Sequence, residues 1–494
     1  MRSPFSSRAR SFPRRSRIAH SFRPRLDSLE DRVVLSAVFD SVLTIGSDTA
    51  SITPTDNAVD AAGNSYVTGI LIRPMDFDPA NVHSDGSDIL SPRGSSDAYV
   101  VKYAADNSFL WARSMGSDYI QSGMNYYERG NGVRVDGAGN VFVTGTFYGQ
   151  ADFGAVRLTS AGYSDAFVVK LDPNGNTLWA KGWGGANQDI GNDIALDSAG
   201  NVVSVGSSAI VNSSGGWTSN ASELRKYSPT GVAVWSQRIA SPTNAATGVA
   251  TDAVGNVYVS GEFSGTADFN TDARKTAYAS GPSGSGYVLK LTSAGSFGWV
   301  APFVSKTAES PGSFVSLSDI AVDTAGNVIV GGYYKGQVDL NPSSSVDYRL
   351  PNTRNYNGFV VKLSTGGSLA WAIQSGGDYV NSVAVDASGA VYATGSFEAQ
   401  GFTPGFGLPS VVSNGGADAY VTKYTSSGTL DWALTFGGTG NESCYGIAVD
   451  ASGTIYLAGY YSPGTTDFDP DPLTSHESTN TAFTDMFLLK LRQS

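Results

Sequence analysis

Short runs of alternating apolar and polar residues, separated by glycine-containing turns, recur along the whole chain. One run ends in Asp-x-x-Gly-Asn, and a second run with the pattern Tyr-Val-x-Gly follows it. A strand repeats every two residues, so this alternation predicts β-strands rather than helices. The Asp caps the turn amides and the glycine adopts positive φ at no steric cost. The pattern therefore predicts antiparallel hairpins, in which strand A leads into strand B.

The hairpin pattern occurs seven times, at a spacing of about 65 residues. Its aspartates are Asp60, Asp136, Asp197, Asp252, Asp323, Asp386 and Asp450. A second pattern follows each copy and reads aromatic-Val-x-Lys, with the lysines at Lys102, Lys170, Lys226, Lys290, Lys362, Lys423 and Lys490. After a tight turn it ends in a tryptophan six times, at Trp111, Trp179, Trp235, Trp299, Trp371 and Trp432. Each unit thus contains four strands, A to D, as expected for a β-propeller blade or a solenoid.

The two ends of the chain favour the propeller. The seventh unit stops before strand D, and residues 39–46 have the pattern of the strand D segment at 430–437. An amino-terminal strand that completes the last unit would close a ring and protect the sheet edges. We therefore predict an all-β protein whose residues 37–494 form a single seven-bladed β-propeller. The predicted blades are four-stranded and antiparallel.

The units also resemble a known repeat family. The segment from Asp165 to Gly206 reads Asp-Ala-Phe-Val-Val-Lys-Leu-Asp, then Trp-Ala, Gly-Gly and the Asp-x-x-Gly-Asn hairpin. This resembles the seven-bladed β-propeller repeat family (SBBP type), over about residues 38–491. The third unit departs from the pattern, with Glu223-Leu224-Arg225 in place of Asp-Ala-Phe. The resemblance implies a fold and no particular activity.

Residues 1–36 differ in composition from the rest. Residues 1–32 hold nine arginines and three acids, which gives them a charge of +6. The net charge of the chain is −12, so the remaining residues carry −18. The stretch from Arg25 to Ser36 reads RLDSLEDRVVLS and resembles the amino-terminal motif of planctomycete extracellular proteins. That resemblance implies export to the cell surface or beyond. We predict a disordered basic export and sorting leader at 1–36, and an extracellular or cell-surface location.

Composition excludes several classes of function. A single cysteine and three histidines leave no disulfide, no Cys-based zinc site and no His-rich metal centre. The acidic net charge disfavours nucleic acid as a partner. The longest apolar runs are too short for a transmembrane helix. We expect a monomer without cofactors, calcium excepted.

The long B–C loops are the expected binding surface, because binding residues concentrate on loops held by a rigid scaffold. They span about 70–97, 147–164, 207–222, 262–286, 333–357, 396–417 and 460–484. Aromatic residues in or beside the long loops are the candidates for protein or polysaccharide contacts. They are Tyr119, Tyr126, Tyr127, Trp217, Tyr333, Tyr334, Tyr379, Tyr445, Tyr460 and Tyr461. Packing beneath the loops is the alternative role.

Aspartates in two of these loops suggest calcium. Asp76 and Asp78 alternate in one loop, and Asp467, Asp469 and Asp471 alternate in another. Alternating carboxylates supply the hard oxygens that calcium prefers. The glycine and distal glutamate of an EF-hand are absent, so turn capping is the alternative role.

Three hypotheses for function remain. The first is an exported, non-enzymatic propeller that binds protein or glycan through its long-loop rim. The second is a carbohydrate-active enzyme, a glycosidase or lyase, with carboxylates in the central funnel. The third is a structural cell-surface component. The sequence singles out no catalytic residue, and the seven Lys and seven Asp are expected to be architectural.

Overall fold

The computed structural model describes residues 37–493, apart from 82–84, 121–126, 212–216, 242, 271, 273–275, 344, 399–400, 404–409 and 472. Thirty-five strands occur in these residues. The strands that lead into and form the first two repeat units are β1 (Ala37–Ile45), β2 (Ile52–Val59), β3 (Ser65–Leu71), β4 (Met75–Asp76), β5 (Ile89–Leu90), β6 (Asp97–Tyr103), β7 (Phe109–Ser117), β8 (Arg129–Val135), β9 (Val141–Phe147), β10 (Gln150–Phe153), β11 (Val156–Thr159), β12 (Asp165–Leu171) and β13 (Thr177–Trp183).

The next three repeat units follow the same order. Their strands are β14 (Gln188–Leu196), β15 (Val202–Val211), β16 (Trp217–Tyr227), β17 (Ala233–Ala240), β18 (Thr243–Thr251), β19 (Val257–Asp268), β20 (Tyr278–Leu291), β21 (Phe297–Ser305), β22 (Phe314–Val322), β23 (Val328–Lys335), β24 (Val338–Asp339), β25 (Asn357–Leu363) and β26 (Leu369–Gln374).

The last two units complete the chain. Their strands are β27 (Tyr379–Val385), β28 (Val391–Phe397), β29 (Asp418–Tyr424), β30 (Leu430–Gly438), β31 (Glu442–Val449), β32 (Ile455–Tyr461), β33 (Gly464–Asp467), β34 (Glu477–Asn480) and β35 (Asp485–Gln493).

The prediction of seven separate blades is wrong, because the strands form an all-β propeller of six blades. Three are four-stranded, in the orders β1-β35-β32-β31, β13-β12-β9-β8 and β22-β23-β25-β26. Two have six strands, because the short hairpins β10–β11 and β33–β34 of the following unit add to them, through β10 on β7 and β33 on β30. The last has nine strands and contains both the third and the fourth repeat unit. A small two-stranded sheet of β4 and β5 lies beside these blades.

The two repeat units merge because their strands are longer than the sequence suggests. Residues in the expected loops at 207–222 and 262–286 extend β15, β16, β19 and β20 well beyond the seven residues usual for these positions. A parallel bridge between Asn220 of β16 and Asn244 of β18 then joins the two units into one sheet. Tertiary pairing thus overrides the sequence pattern, which marked these segments as loops.

The predicted pairing of the chain ends is confirmed. Strand β1 pairs antiparallel with β35, from Ala37 opposite Gln493 to Ile45 opposite Met486. The two ends of β1 are fully buried. An amino-terminal strand therefore completes the sheet that contains the last repeat unit.

The core lies between neighbouring sheets. One apolar cluster joins Tyr66, Val100 and Trp111 of the first unit to Val143 and Phe167 of the second. Equivalent clusters recur around the ring. Strands B and C are buried almost throughout, and the nearly continuous apolar sequence of strand C is typical of such burial.

One face of the propeller carries the A–B and C–D turns, and we call it the turn face. Five of the six strand D tryptophans donate from Nε1 to a carbonyl oxygen in the next unit's C–D turn, as Trp111 does to Pro173 at 2.9 Å and Trp371 to Ser426 at 3.2 Å. The lysine of strand C reaches the same oxygen. These tryptophans therefore connect neighbouring units.

The Lys and Asp residues pair in two main ways on the turn face, and the second unit, in which Lys170 lies over the Phe142 ring and 3.9 Å from Asp136, is intermediate between them. Where strand B offers an aliphatic residue, the lysine contacts the aspartate directly, as Lys226 does Asp197 at 2.8 Å. Where strand B offers a tyrosine, its hydroxyl donates to the aspartate and the lysine lies over its ring. Tyr66 is an example, at 2.9 Å from Asp60. Both arrangements are architectural.

Candidate functional site

A central channel runs along the propeller axis. The innermost strands surround it, and the nine-stranded sheet supplies two of them; they are β2, β8, β14, β18, β22, β27 and β31. A space of about 380 Å³ lies towards the turn face, and one of about 480 Å³ lies towards the opposite face, which we call the long-loop face. A constriction of about 80 Å³ lies between them.

Three aspartates form this constriction and join neighbouring units. Each occupies the position four residues before a hairpin aspartate. The carboxylate accepts the next backbone N–H of its own strand and an N–H of the following unit. Asp56 binds Val133 N at 2.9 Å, and Asp193 binds Val249 N at 2.8 Å. Asp319 binds Val383 N in the same way, at 2.9 Å. They are structural clasps between units.

Among the described residues that line the constriction, Arg134 is the one cation beside these carboxylates. Its Nη1 lies 2.5 Å from Asp56, and its Nη2 lies 3.2 Å from Asp193. Burial raises the pKa of both aspartates, an effect that Arg134 opposes. Burial lowers the pKa of Arg134, but the carboxylates outweigh it and the guanidinium stays charged. Because every carboxylate oxygen here already accepts a hydrogen bond, this arrangement stabilises the ring and does not present a free acid to a substrate.

A β-bulge in each innermost strand turns one side chain into the channel. These residues are Thr55, Asn131, Asn192, Thr247, Ser318, Asn381 and Tyr445. Three asparagines donate to a backbone carbonyl of the following unit, for example Asn131 to Gly191 at 2.7 Å. Their side chains form a second layer of contacts between units.

The sequence carried a signal for this layer that our sequence analysis missed. Six of the seven units place alanine two residues before the hairpin aspartate, and only the second places Arg134 there. The residue four positions before the hairpin aspartate is, from the first unit to the seventh, Asp56, Gly132, Asp193, Gly248, Asp319, Ser382 and Gly446. Alignment of the repeats position by position would have identified both departures.

Four aromatic rings form a cluster on the long-loop face where the fifth and sixth units meet. The cluster consists of Phe314, Tyr333, Tyr356 and Tyr379, all half-buried. Tyr379 lies 5.0 Å from Tyr333 and 5.2 Å from Tyr356, measured between ring centroids. Lys335 lies over the Tyr356 ring at 5.7 Å. We call this group the rim cluster. Two of its members were candidates from the sequence, and two were not.

The strands explain why these rings meet. Phe314 and Tyr379 begin the innermost strands of neighbouring units, while Tyr333 lies near the end of strand β23. Tyr356 directly precedes β25. Burial raises the pKa of Tyr379 to about 12, with a further contribution from Glu398, so the hydroxyl stays protonated. The rings therefore offer flat apolar area with a polar edge, a combination enriched at interfaces.

The other candidate aromatics lie apart from the rim cluster. Tyr445 stacks on Tyr460 at 5.7 Å beside the channel mouth. Tyr119, which is 44% exposed, stacks on Tyr148 at 5.8 Å. Tyr127 is half-buried. These residues do not form one continuous surface with the cluster.

The remaining candidates are buried or outside the description. Tyr334 and Tyr461 belong to the core, at 1% and 2% exposure. Tyr126 and the side chain of Trp217 lie outside the described residues. Tyr334 and Tyr461 thus pack beneath the loops, which was the alternative role.

The candidate calcium ligands form successive turns. Asp76 accepts the N–H of Asp78, at 2.8 Å. Asp467 accepts that of Asp469, which in turn accepts that of Asp471, each at 3.0 Å. In the described part of the chain, no group of three or more His, Cys, Asp or Glu side chains is arranged to hold a metal ion. Calcium binding stays a prediction.

Buried carboxylates also lie where neighbouring units meet on the long-loop face. Glu128 accepts hydrogen bonds from Ser117 and Tyr148, and burial raises its pKa to about 7. The Asp97 carboxylate lies close to Gly116 of strand D, as the Glu128 carboxylate does. Burial raises the pKa of Asp97 to about 6. Glu442 is placed in the same way in the seventh unit, with a pKa of about 7 from burial. These carboxylates hold loops to strands.

No described helix is long and apolar enough to cross a membrane. No protein-family model matches the chain. Two curated proteins are similar to it: the uncharacterized WD repeat-containing protein L264 of Acanthamoeba polyphaga mimivirus, 23% identical over 484 residues, and the regulatory protein FlaEY of Caulobacter vibrioides, 27% identical over 408 residues. The matches cover 78% and 76% of this chain but only 34% and 40% of those proteins. The chain thus spans about a third to two fifths of their length.

Among solved structures, the WD40 β-propeller domain of Doa1 covers 93% of this chain and 97% of its own, at 8% identity and a TM-score of 0.43. A luciferin-regenerating enzyme covers 72% of this chain and 88% of its own, at 12% identity and a TM-score of 0.34. Likeness at this level says nothing about activity.

Proposed function

We propose that the protein is a non-enzymatic propeller that binds a protein partner through the long-loop face. The rim cluster carries this proposal. It places Phe314, Tyr333, Tyr356 and Tyr379 side by side on the face whose loops vary most between units. Half-buried tyrosines lose little conformational entropy on binding and supply both apolar area and hydrogen-bonding groups.

The remainder of the molecule supports binding rather than catalysis. The channel carboxylates form hydrogen bonds between units, and the Asp–Lys contacts recur on the turn face as architecture. The similarity to a protein described as WD repeat-containing is in keeping with a repeat propeller that acts as a scaffold for protein interactions.

We further propose that the protein is exported and acts at the cell surface or beyond. The support is the motif at residues 25–36 and the separation of charge between the basic residues 1–32 and the acidic remainder. The pairing of β1 with β35 closes the ring without a disulfide, so the closure suits an oxidising or a reducing compartment.

The test is capture by the immobilised full chain from extracts and culture fluid of the source cells, alongside a glycan array. We expect at least one protein to be retained in stoichiometric amount. Replacement of Tyr333 and Tyr379 by alanine should reduce its retention at least tenfold. Tyr278→Ala removes another tyrosine that is 65% exposed, and it is the matched control.

Thermal unfolding of each variant shows whether the fold is intact. Retention that is equal in the wild-type and the Tyr333/Tyr379 variant would contradict the proposal. Saturable glycan binding that depends on the rim cluster, without any retained protein, would contradict it as well.

A further inference from the structure

The mouth of the central channel on the long-loop face contains one arginine. The space of about 480 Å³ at this mouth is lined by Arg129, the first residue of β8, and by residues of five other units. A volume of this size is usual for a ligand-binding pocket. Arg129 is half-buried, and it is the one charged side chain among the described residues that line this space. The mouth therefore presents a single positive charge.

No described carboxylate balances the charge of Arg129. Burial lowers the pKa of its guanidinium, and the opposing contribution comes from Tyr148 and not from an acid. Arg134 in the constriction differs, because it contacts both Asp56 and Asp193. A half-buried charge without a counter-charge opposes folding, so its presence calls for a ligand that supplies the opposite charge.

Arg129 occupies a position that lies at the mouth in each unit. This position is the seventh residue before the hairpin aspartate, and it pairs with strand B at the same register in each unit. The residues there, from the first unit to the seventh, are Thr53, Arg129, Ile190, Ala245, Ser316, Tyr379 and Ser443. Tyr379 of the rim cluster thus lies at the same level of the ring as Arg129. A partner that covers the rim cluster also reaches the mouth.

The other residues that line the mouth suit a side chain with an apolar stem and a polar end. Pro54, Ile70 and Leu317 contribute apolar surface, and Thr53 and Ser318 contribute hydroxyl groups. A guanidinium binds a carboxylate through two parallel hydrogen bonds.

The number of charges selects a carboxylate over a phosphate. Arg129 balances one negative charge. The described residues of the constriction below it include three aspartates and one arginine, so they supply no further net positive charge. A phosphate dianion would therefore lack a second cation, whereas a carboxylate would be balanced.

We propose that the partner protein inserts an aspartate or glutamate side chain into the mouth of the channel, where its carboxylate pairs with Arg129. The inference rests on the proposed function, since it specifies the chemistry that the partner presents beside the rim cluster. Charge pairs that lose water on binding are frequent among the residues on which the affinity of a complex depends most.

The first test is capture of the partner by variants of the full chain. Arg129→Gln should reduce retention of the partner at least tenfold. Arg73→Gln removes an exposed arginine from a long loop of the same face, and this matched control should retain the partner as the wild type does. Since the Arg129 guanidinium pairs with no described acid, Arg129→Gln should leave the melting temperature unchanged or raise it. A marked fall in melting temperature would indicate a structural role and overturn the inference.

The second test is a covalent link to the partner. Arg129→Lys places a primary amine at the mouth, and a carbodiimide should couple this amine to the partner's carboxylate as an amide. We expect mass spectrometry to find a link between position 129 and an aspartate or glutamate of the partner. Arg73→Lys carries the same amine outside the mouth and should give no link from position 73. Absence of the link at position 129 would contradict the inference.

The capture assay also separates this inference from the proposed function. Loss of capture in the Tyr333/Tyr379 variant, with unchanged capture in Arg129→Gln, would refute the site at the mouth and leave the proposed function standing. Stabilisation of the wild type, but not of Arg129→Gln, by added N-acetylaspartate, with equal capture by both, would assign the mouth to a small carboxylate and refute insertion by the partner. If the wild type retains no protein, both proposals fail.

Discussion

The two faces of this propeller are built from the same repeat but obey different rules. On the turn face, an Asp, a Lys and usually a Trp occur in each unit and form one of a small set of recurring contacts. On the long-loop face, the units differ in loop length, in added strands and in which aromatic residues meet. A side chain that repeats around the ring maintains the ring. A side chain that occurs once is the better candidate for binding.

Removal of residues 37–45 should have the largest effect, because it breaks the ring for both faces at once. Strand β1 completes one sheet through its pairing with β35, and its two ends are fully buried. We expect loss of the cooperative unfolding transition, or a destabilisation of more than about 4 kcal/mol. Calorimetry measures it, and an unchanged melting temperature would refute the closure of the ring by β1.

Lys226→Met tests the turn face where lysine and aspartate pair directly. The two side chains are 3% exposed, so the change leaves Asp197 buried without its counter-charge. We expect a loss of about 3–5 kcal/mol in the free energy of unfolding, measured with chemical denaturant.

Lys102→Met is the matched control, and it should cost about 1 kcal/mol. Asp60 keeps the hydrogen bond from Tyr66 and those from the turn amides. Equal losses in the two variants would show that the tyrosine does not take over the role of the direct pair.

Much of the turn face could be predicted from the sequence, because repetition marks it. The hairpin aspartates, the strand C lysines, the tryptophans and the pairing of the two chain ends follow from short patterns that do not depend on distant contacts. The merger of the third and fourth units could not be predicted in this way. It depends on a bridge between Asn220 and Asn244, which become neighbours only in the folded chain.

The long-loop face was harder to predict for the same reason. Tyr333 and Tyr379 were candidates from their position in the chain, but so were Tyr334 and Tyr461, which are buried. Phe314 joins the rim cluster through Tyr333 and Tyr356 of its own unit, and Tyr379 joins it from the next unit. Burial and clustering are set by packing between units, which a local pattern does not report.

The long-loop face should also give the molecule its pH dependence. Burial raises the pKa of Glu128 and of Glu442 from the ordinary 4.5 to about 7. At these two residues the folded protein then binds more protons than the unfolded chain in this range, so their contribution to stability is greatest below pH 4.5 and falls as the pH rises towards 7. Replacement of both residues by glutamine should remove on the order of 3 kcal/mol of this decline for each residue. Melting temperatures between pH 4 and pH 8 measure it, and an unaltered pH profile would contradict the assignment.

The smallest effect distinguishes two tryptophans of the turn face. Trp371 donates to Ser426, whereas the buried Nε1 of Trp432 has no hydrogen-bond acceptor among the described residues. Among the described residues of the seventh unit, no turn carbonyl accepts a hydrogen bond from this nitrogen. Trp371→Phe should cost about 1 kcal/mol, and Trp432→Phe should cost measurably less. The reverse order in chemical unfolding would contradict the role assigned to the turn carbonyls.

The central claim is that the turn face maintains the ring and the long-loop face binds the partner. Hydrogen–deuterium exchange of the full chain, with and without the captured partner, tests it most directly. With the partner bound, we expect slower amide exchange at residues 314–316, 333–335, 356–358 and 376–381. Exchange in the A–B and C–D turns should be unchanged. Protection confined to those turns would contradict it.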